Sequence, residues 1–311
     1  MEEAVVMQAE RIAGDFLQEQ VKASYQIVGK GFINQVCVVK TASRKVVVRM
    51  NDTGTYPNYA KEKWCMEQAA AAGIPGPEAL AIGIADETAY MILTFVDGDN
   101  GVDSAVPNTE IWRQLGRYAK RIHAIPVKGY GENLIDPVHG EFHSPPHPGS
   151  DGSWLGYVKH NIHSLTEHDR LIKLGVLTPV QSNRARELFE HLKNQTFRFG
   201  LIHGDLSIKN TIVDRTGQVI VLDWGNAEVR PVPHGDINWL MQLQMLDGDP
   251  NPEELQAFLD GYGIGAADFA ATRPLLLLKA FDNLRWALDR CPERVESYAA
   301  FAKQAVGMIL D

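Results

Sequence analysis

The chain has 311 residues, 45% hydrophobic and 22% charged, with a formal net charge of −9. That length and composition suit a globular protein of two lobes or domains. No apolar run is long enough to cross a bilayer, and the acidic balance excludes a general nucleic-acid binder, which needs basic charge to displace counterions, while leaving room for a cationic small molecule.

The N-terminal stretch is acidic and amphipathic, with Val5, Ala9, Ile12 and Phe16 on one helical face, and it does not read as a signal peptide. Residues 24–50 predict a β-meander: two β-rich runs around a Gly-x-Gly turn, then the short strand KVVVRM. A polar loop, NDTGTYPN, leads into an alanine-rich helix that Gly73 and Pro75 end. Two further strands follow in EALAIGIAD and TAYMILTFV. The Gly/Asp/Pro-rich run DGDNGVDSAVPN then marks a boundary, with lobes expected at 1–97 and 98–311. Beyond it the chain predicts helices at TEIWRQLGRYAKRIHAI, SWLGYVKHNIHSL and SNRARELFEHLKNQ, with 127–153 left irregular. Near residue 200 a compact β unit appears, with strands TIVD and QVIVLDW joined through Thr216 and Gly217. The rest, about 236–311, predicts helices. Cys37, Cys65 and Cys291 are too scattered for a disulfide framework or a zinc spacing, so a reducing cytoplasm is the expected compartment.

The chemistry-bearing pattern is His203-Gly204-Asp205, then Asn210 five residues on, then Asp223 eighteen residues after Asp205. Phosphoryl transfer asks a protein mainly to position groups and offset charge. It needs a carboxylate facing the attacking hydroxyl, and hard oxygen ligands such as a carboxylate and an amide to hold Mg²⁺ against phosphates. Asp205 and Asn210 share a loop, and the hairpin that follows returns Asp223 toward it. Any one of these residues alone would be an ordinary loop acid or a packed histidine; the spacing of all of them together is specific.

In HGDLSIKN, VLDW and HGDINWL the chain resembles the aminoglycoside phosphotransferase family, over nearly its whole length. The resemblance implies an α+β, protein-kinase-like two-lobe fold with a β-rich N-lobe and a mainly helical C-lobe, and ATP or GTP with Mg²⁺. It implies Asp205 as catalytic base, Asn210 and Asp223 as metal ligands, and His203 and Asp236 as structural braces. It also implies a strand cation gripping the α- and β-phosphates, here Arg49, paired with a helical acid, here Glu62. Gly29, Gly31 and Asn34 stand where a phosphate-covering turn belongs. Leu93, Thr94 and Val96 fall at the hinge, where backbone groups would meet the purine. Lys209 lies on the catalytic loop, either near the γ-phosphate or in solvent.

The chain lacks HRD and DFG motifs, and only thirteen residues separate Asp223 from Asp236, too few for a peptide platform. The expected acceptor is therefore a small-molecule hydroxyl. The stretches VVVRMN, GIPGPEALAIG, RIHAIPV and KGYGENL, with a helix opening at Trp154, are similar to hygromycin B phosphotransferase-like members, which does not name the acceptor; an aminoglycoside-like antibiotic and a metabolic substrate such as choline, an amino acid or a sugar both stay open. So does a catalytically silent nucleotide-binding module. Asp282, Trp286 and Asp289 fall on one helical face, either as an acceptor surface or as a solvated face with the tryptophan in the core. His139, His143 and His147 repeat every four residues, but the prolines among them rule out a regular helix, and a lid-like loop is expected.

Overall fold

The computed structural model describes residues 2–27, 35–147, 149–265 and 269–311. The chain forms two compact units, Met1–Val106 with Ser207–Gly225, and Pro107–Leu206 with Asn226–Asp311.

The first unit is built on a five-stranded antiparallel sheet in the order β1-β2-β3-β5-β4. Its strands are β1 (Ala23–Gln26), β2 (Gln35–Lys40), β3 (Lys45–Asp52), β4 (Ala79–Ala85) and β5 (Thr88–Thr94). Side chains alternate across a strand, and β3 shows the consequence. Val46, Val48 and Met50 are buried in a cluster with Cys37, Val39 and Ile92, and helix α1 (Glu2–Leu17) adds Ala9, Ile12 and Ala13 to it. Arg49 has the opposite parity and leaves β3 by the other face. Phe16, expected on the packed face of α1, is 40% exposed, and Ala13 is buried instead.

Helix α2 runs from Tyr56 to Ala71. It starts inside the run expected to be a polar loop, because Pro57 sits in the first turn, where its missing N–H is no loss. It ends where Gly73 turns left-handed at φ 74°. Its buried residues include Tyr59, Glu62, Met66 and Ala69, an apolar stripe broken by an acid, together with Lys61.

The hairpin of β11 (Thr211–Val213) and β12 (Val219–Val221) belongs to this same unit. β6 (Asp99–Asn100) pairs with β11, and the Val221 N–H donates to the Pro75 carbonyl at 2.9 Å. These bonds carry the compact unit past the boundary expected at 97/98 and include the hairpin in it.

In the second unit α3 (Asn108–Ile122) buries Ile111, Trp112, Leu115 and Ala119. The stretch 127–153, expected to be irregular, holds a small sheet of β7 (Lys128–Tyr130), β8 (Asn133–Asp136) and β9 (Glu141–His143) in the order β7-β9-β8, and Phe142 is fully buried in it. Strands of three or four residues are too short to display a period. Helices α4 (Trp154–Ser164), α5 (Arg170–Lys173) and α6 (Pro179–Asn194) follow, the last opened by a Thr178/Gln181 capping box. β10 (Phe199–Ile202) pairs with β13 (Glu228–Pro231). α7 (His234–Asp247), α8 (Pro252–Tyr262), α9 (Arg273–Arg290) and α10 (Val295–Ile309) complete the unit. Among the described residues no helix is long and apolar enough to cross a membrane.

Candidate active site

In the second unit β10 delivers the chain to His203, which is fully buried, and then to Gly204 at φ 79°. A Cβ on residue 204 would collide with the carbonyl oxygen of Asn226, so both the backbone conformation and the space require glycine. The Asp236 carboxylate, fully buried in the first turn of α7, accepts the N–H of Gly204 at 2.9 Å and of His203 at 3.3 Å. The Asp205 N–H in turn donates to His203 Nδ1 at 3.3 Å. The half-buried Asp205 is thus the end of a main-chain segment fixed at three successive N–H groups.

Sequence reasoning missed what stands behind Asp236. His123, at the end of α3, places Nε2 at 3.0 Å from Asp236 Oδ2, and its Nδ1 lies 2.9 Å from the Tyr262 hydroxyl. A carboxylate can only accept, so Nε2 carries a proton and donates to Asp236. Burial by itself would raise the Asp236 carboxyl. The hydrogen bond and charge of His123 and the Gly204 N–H outweigh burial and hold it below the usual carboxylate range.

In the first unit Arg49 reaches Glu62 of α2 in a direct ion pair, and its Nη2 lies 3.8 Å from Asp223 Oδ1. Side-chain exposures are 12% for Arg49, 3% for Glu62 and 52% for Asp223, so the buried pair opens onto an accessible carboxylate. Burial opposes the guanidinium charge, but Glu62 and then Asp223 more than offset it, so Arg49 is held above its ordinary value and stays charged. The Tyr59 ring lies 5.7 Å from the guanidinium carbon.

Asn210 and Asp223 belong to the same hairpin. The Asn210 carbonyl accepts the Leu222 N–H at 2.9 Å, one residue before Asp223. Asp223 itself is left-handed, at φ 58°. An amide oxygen and a carboxylate suit Mg²⁺, which commonly keeps waters and phosphate oxygens for its remaining positions. Among the described residues no group of three or more His, Cys, Asp or Glu is arranged for a metal. The spaced histidines do other things: His139 bonds Asp136 at 2.6 Å, His143 bonds Glu141 at 3.3 Å, and His147 packs edge-on to His160.

At the hinge Leu93 is 7% exposed. The Thr94 N–H is taken by the Glu78 carbonyl at 2.9 Å, and Val96 is half-buried. The Lys209 side chain is exposed, and its carbonyl accepts the Asn100 amide at 2.9 Å. Gly29, Gly31 and Asn34 lie outside the described residues.

The three residues considered for an acceptor face part company. Asp289 is bound by Arg170 through two hydrogen bonds of 2.7 and 3.2 Å, Trp286 is 44% exposed rather than in the core, and Asp282 accepts from the Tyr157 hydroxyl.

Comparison with known proteins bears on the family and the fold. A family model described as the phosphotransferase enzyme family (APH) matches residues 24–275. Among solved structures, aminoglycoside phosphotransferase APH(4)-Ia superposes with a TM-score of 0.67 at 16% identity, covering 97% of this chain and 98% of that one. A thermostable mutant of it has been crystallised with ADP and hygromycin B. Spectinomycin phosphotransferase APH(9)-Ia, in complex with ADP and spectinomycin, gives 0.60 at 14% identity, with 97% of each chain covered. A fructosamine-3-kinase candidate from Haemophilus somnus 129PT gives 0.63 at 12% identity, covering 100% of this chain and 99% of that one. At these identities the likeness is one of fold. No curated protein sequence matches the chain.

Proposed function

We propose, from the premise that this chain belongs to the phosphotransferase enzyme family and is a small-molecule kinase, that it transfers the γ-phosphate of ATP to an acceptor hydroxyl with Asp205 as the base. The observation that carries this reading is the buried Arg49–Glu62 pair beside the exposed Asp223 carboxylate. A desolvated guanidinium held by one acid, next to a second acid open to ligand, suits binding of a metal-chelated polyphosphate. In the proposed reaction the acceptor oxygen attacks the γ-phosphorus in line, ADP leaves, and the hydroxyl proton passes to Asp205. Arg49 grips the non-transferring phosphates. Asn210 and Asp223 would hold magnesium, which when bound offsets phosphate charge. Leu93, the Thr94 carbonyl and the Val96 backbone receive the purine, with Gly29, Gly31, Asn34 and Lys209 as further phosphate-side contacts. The three cysteines are free thiols, which suits the cytoplasm, where ATP is supplied.

The acceptor is tested by a panel. ATP consumption is measured with hygromycin B, spectinomycin, a fructosamine, choline and simple sugars, for the wild type and for Asp205→Ala. One acceptor should stimulate the wild type. The variant should lose roughly 10²–10⁴-fold in kcat, the range of a lost general base, while its ADP affinity holds. Equal trace turnover by both proteins with every acceptor would instead favour a silent nucleotide-binding module.

A further inference from the structure

Lys61 departs from what a helix lysine usually does. Its neighbour Lys63 is a surface residue, 30% exposed and paired with Glu67 one turn on. Lys61 is only 7% exposed, and its Nζ donates at 2.9 Å to the main-chain carbonyl of Gly225, 164 residues away in sequence. Desolvating an ammonium is costly unless it gains strong partners, and here Lys61 donates to a neutral carbonyl in the loop that contains Asp223.

That loop is gripped at three consecutive residues from β3 and α2. Arg49 faces the Asp223 carboxylate, Glu62 accepts the Trp224 N–H, and Lys61 holds the Gly225 carbonyl. Asp223 needs such support because its φ of 58° is sparsely populated by residues other than glycine. The Glu62 and Arg49 contacts are explained by the phosphate clamp; the Lys61 contact is not.

We infer that Lys61 is a positioning residue for metal binding, holding the backbone at 223–225 in the conformation that presents the Asp223 carboxylate. The inference rests on the proposed role of Asp223 as a ligand of nucleotide-bound metal. Removing the clamp leaves both proposed ligands in place and relaxes the main chain that aims one of them, so the effect falls on metal affinity rather than on nucleotide contacts.

The test titrates Mn²⁺ against the full chain with saturating ADP, reading bound metal by electron paramagnetic resonance, and measures metal-free ADP affinity and thermal unfolding alongside. Lys61→Met should weaken Mn²⁺ binding about tenfold or more, the scale seen for residues that orient metal ligands, with metal-free ADP affinity unchanged. Lys61→Arg, which keeps a charged donor, should recover part of the loss, and Lys63→Met should bind as the wild type does. Should Lys61→Met fail to fold, Lys61→Gln serves, with the same loss expected because its side chain is too short to reach the carbonyl. Wild-type Mn²⁺ affinity in a folded Lys61 variant overturns the inference. Wild-type affinity in Asp223→Asn overturns the parent reading of Asp223 instead, and the two failures are distinct.

Discussion

In the first unit Arg49, Glu62 and Asp223 form a cluster of full charges whose last member is 52% exposed. In the second, Asp236, His123 and Tyr262 form a chain of hydrogen bonds with Asp236 fully buried and His123 only 2% exposed. The difference lies in who can compete for the partners. Water, salt and a polyphosphate can all reach Asp223, so the balance of that cluster depends on what is bound and on ionic strength. Nothing from solvent reaches Asp236, so the segment His203–Asp205 is set at folding and does not wait for a ligand. The first arrangement suits a group that must exchange partners, and the second suits a base that must already be in place.

The largest test is aimed at the second arrangement. Asp236→Ala strands the buried N–H groups of His203 and Gly204 and removes the acceptor of His123. The expected loss is about 3–5 kcal/mol of unfolding free energy by denaturant titration, the scale for breaking a buried charged network. Asp236→Asn, which keeps one acceptor oxygen, should lose less. Because the Asp236 carboxyl is held below its ordinary value, its contribution is present above the unfolded-state pKa near 3.8 and is lost as pH falls through the folded value. Wild-type stability should therefore fall more steeply in acid than that of Asp236→Asn. Equal slopes would show that the carboxylate is not the linchpin of the loop.

A smaller effect is expected in the first arrangement. Arg49→Met should raise the KM for ATP roughly 10–100-fold, the equivalent of one or two charge-assisted hydrogen bonds. It should also destabilise the chain, because Glu62, with a side chain only 3% exposed, would stay buried on the helix without its partner. Arg49→Lys should retain part of both. The comparison predicts a contrast in salt as well: raising ionic strength should raise the wild-type KM for ATP, while the stability difference between wild type and Asp236→Asn should stay constant. If salt moves both alike, the two regions do not differ in solvent access as described.

How far the sequence displayed these arrangements follows from what each depends on. β3 is legible because its parity is strict: Val46, Val48 and Met50 take one face and leave Arg49 on the other. The hairpin is legible from two apolar runs that flank a turn, with Gly217 left-handed at φ 81°, although each strand is only three residues long. The strands at 128–143 are not legible, since each is three or four residues long and positive-φ glycines at 129, 131 and 140 interrupt them. His123 and Lys61 escape for another reason. A polar residue on a helix shows its burial only through its partner, and those partners, Asp236 and Gly225, lie 113 and 164 residues away. Lys61 does leave a trace, because it lies beside the stripe Tyr59, Glu62, Met66, Ala69, where charges are out of place. The unit boundary depends on the pairing of β6 with β11, a two-residue contact that no local pattern announces.

A partly buried lysine of the second unit gives the smallest test. Lys279 on α9 is partly buried, with its Nζ 5.1 Å above the Trp239 ring, and among the described residues it has no ion pair within 4 Å. Burial pushes it down from 10.5 to about 8, against the pull of Glu228, Asp236 and Asp282, with Arg230 adding to the depression. The sign follows from which state holds the proton. Below about pH 8 both folded and unfolded chains are protonated, and the folded state bears the whole cost of the desolvated charge. Between pH 8 and 10.5 the unfolded chain keeps its proton while the folded one has released it, so stability from this group rises with pH; above 10.5 the cost is gone. The shift corresponds to about 3 kcal/mol at full burial. Partial solvent screening and the lost contact with the Trp239 ring reduce the gain to be had from removing the charge. Lys279→Met should therefore stabilise the chain by about 1–2 kcal/mol at pH 7, and the advantage should shrink steadily from pH 8 to 10.5. A variant less stable than the wild type at pH 7 would mean that the surrounding acids hold the ammonium more tightly than burial opposes it.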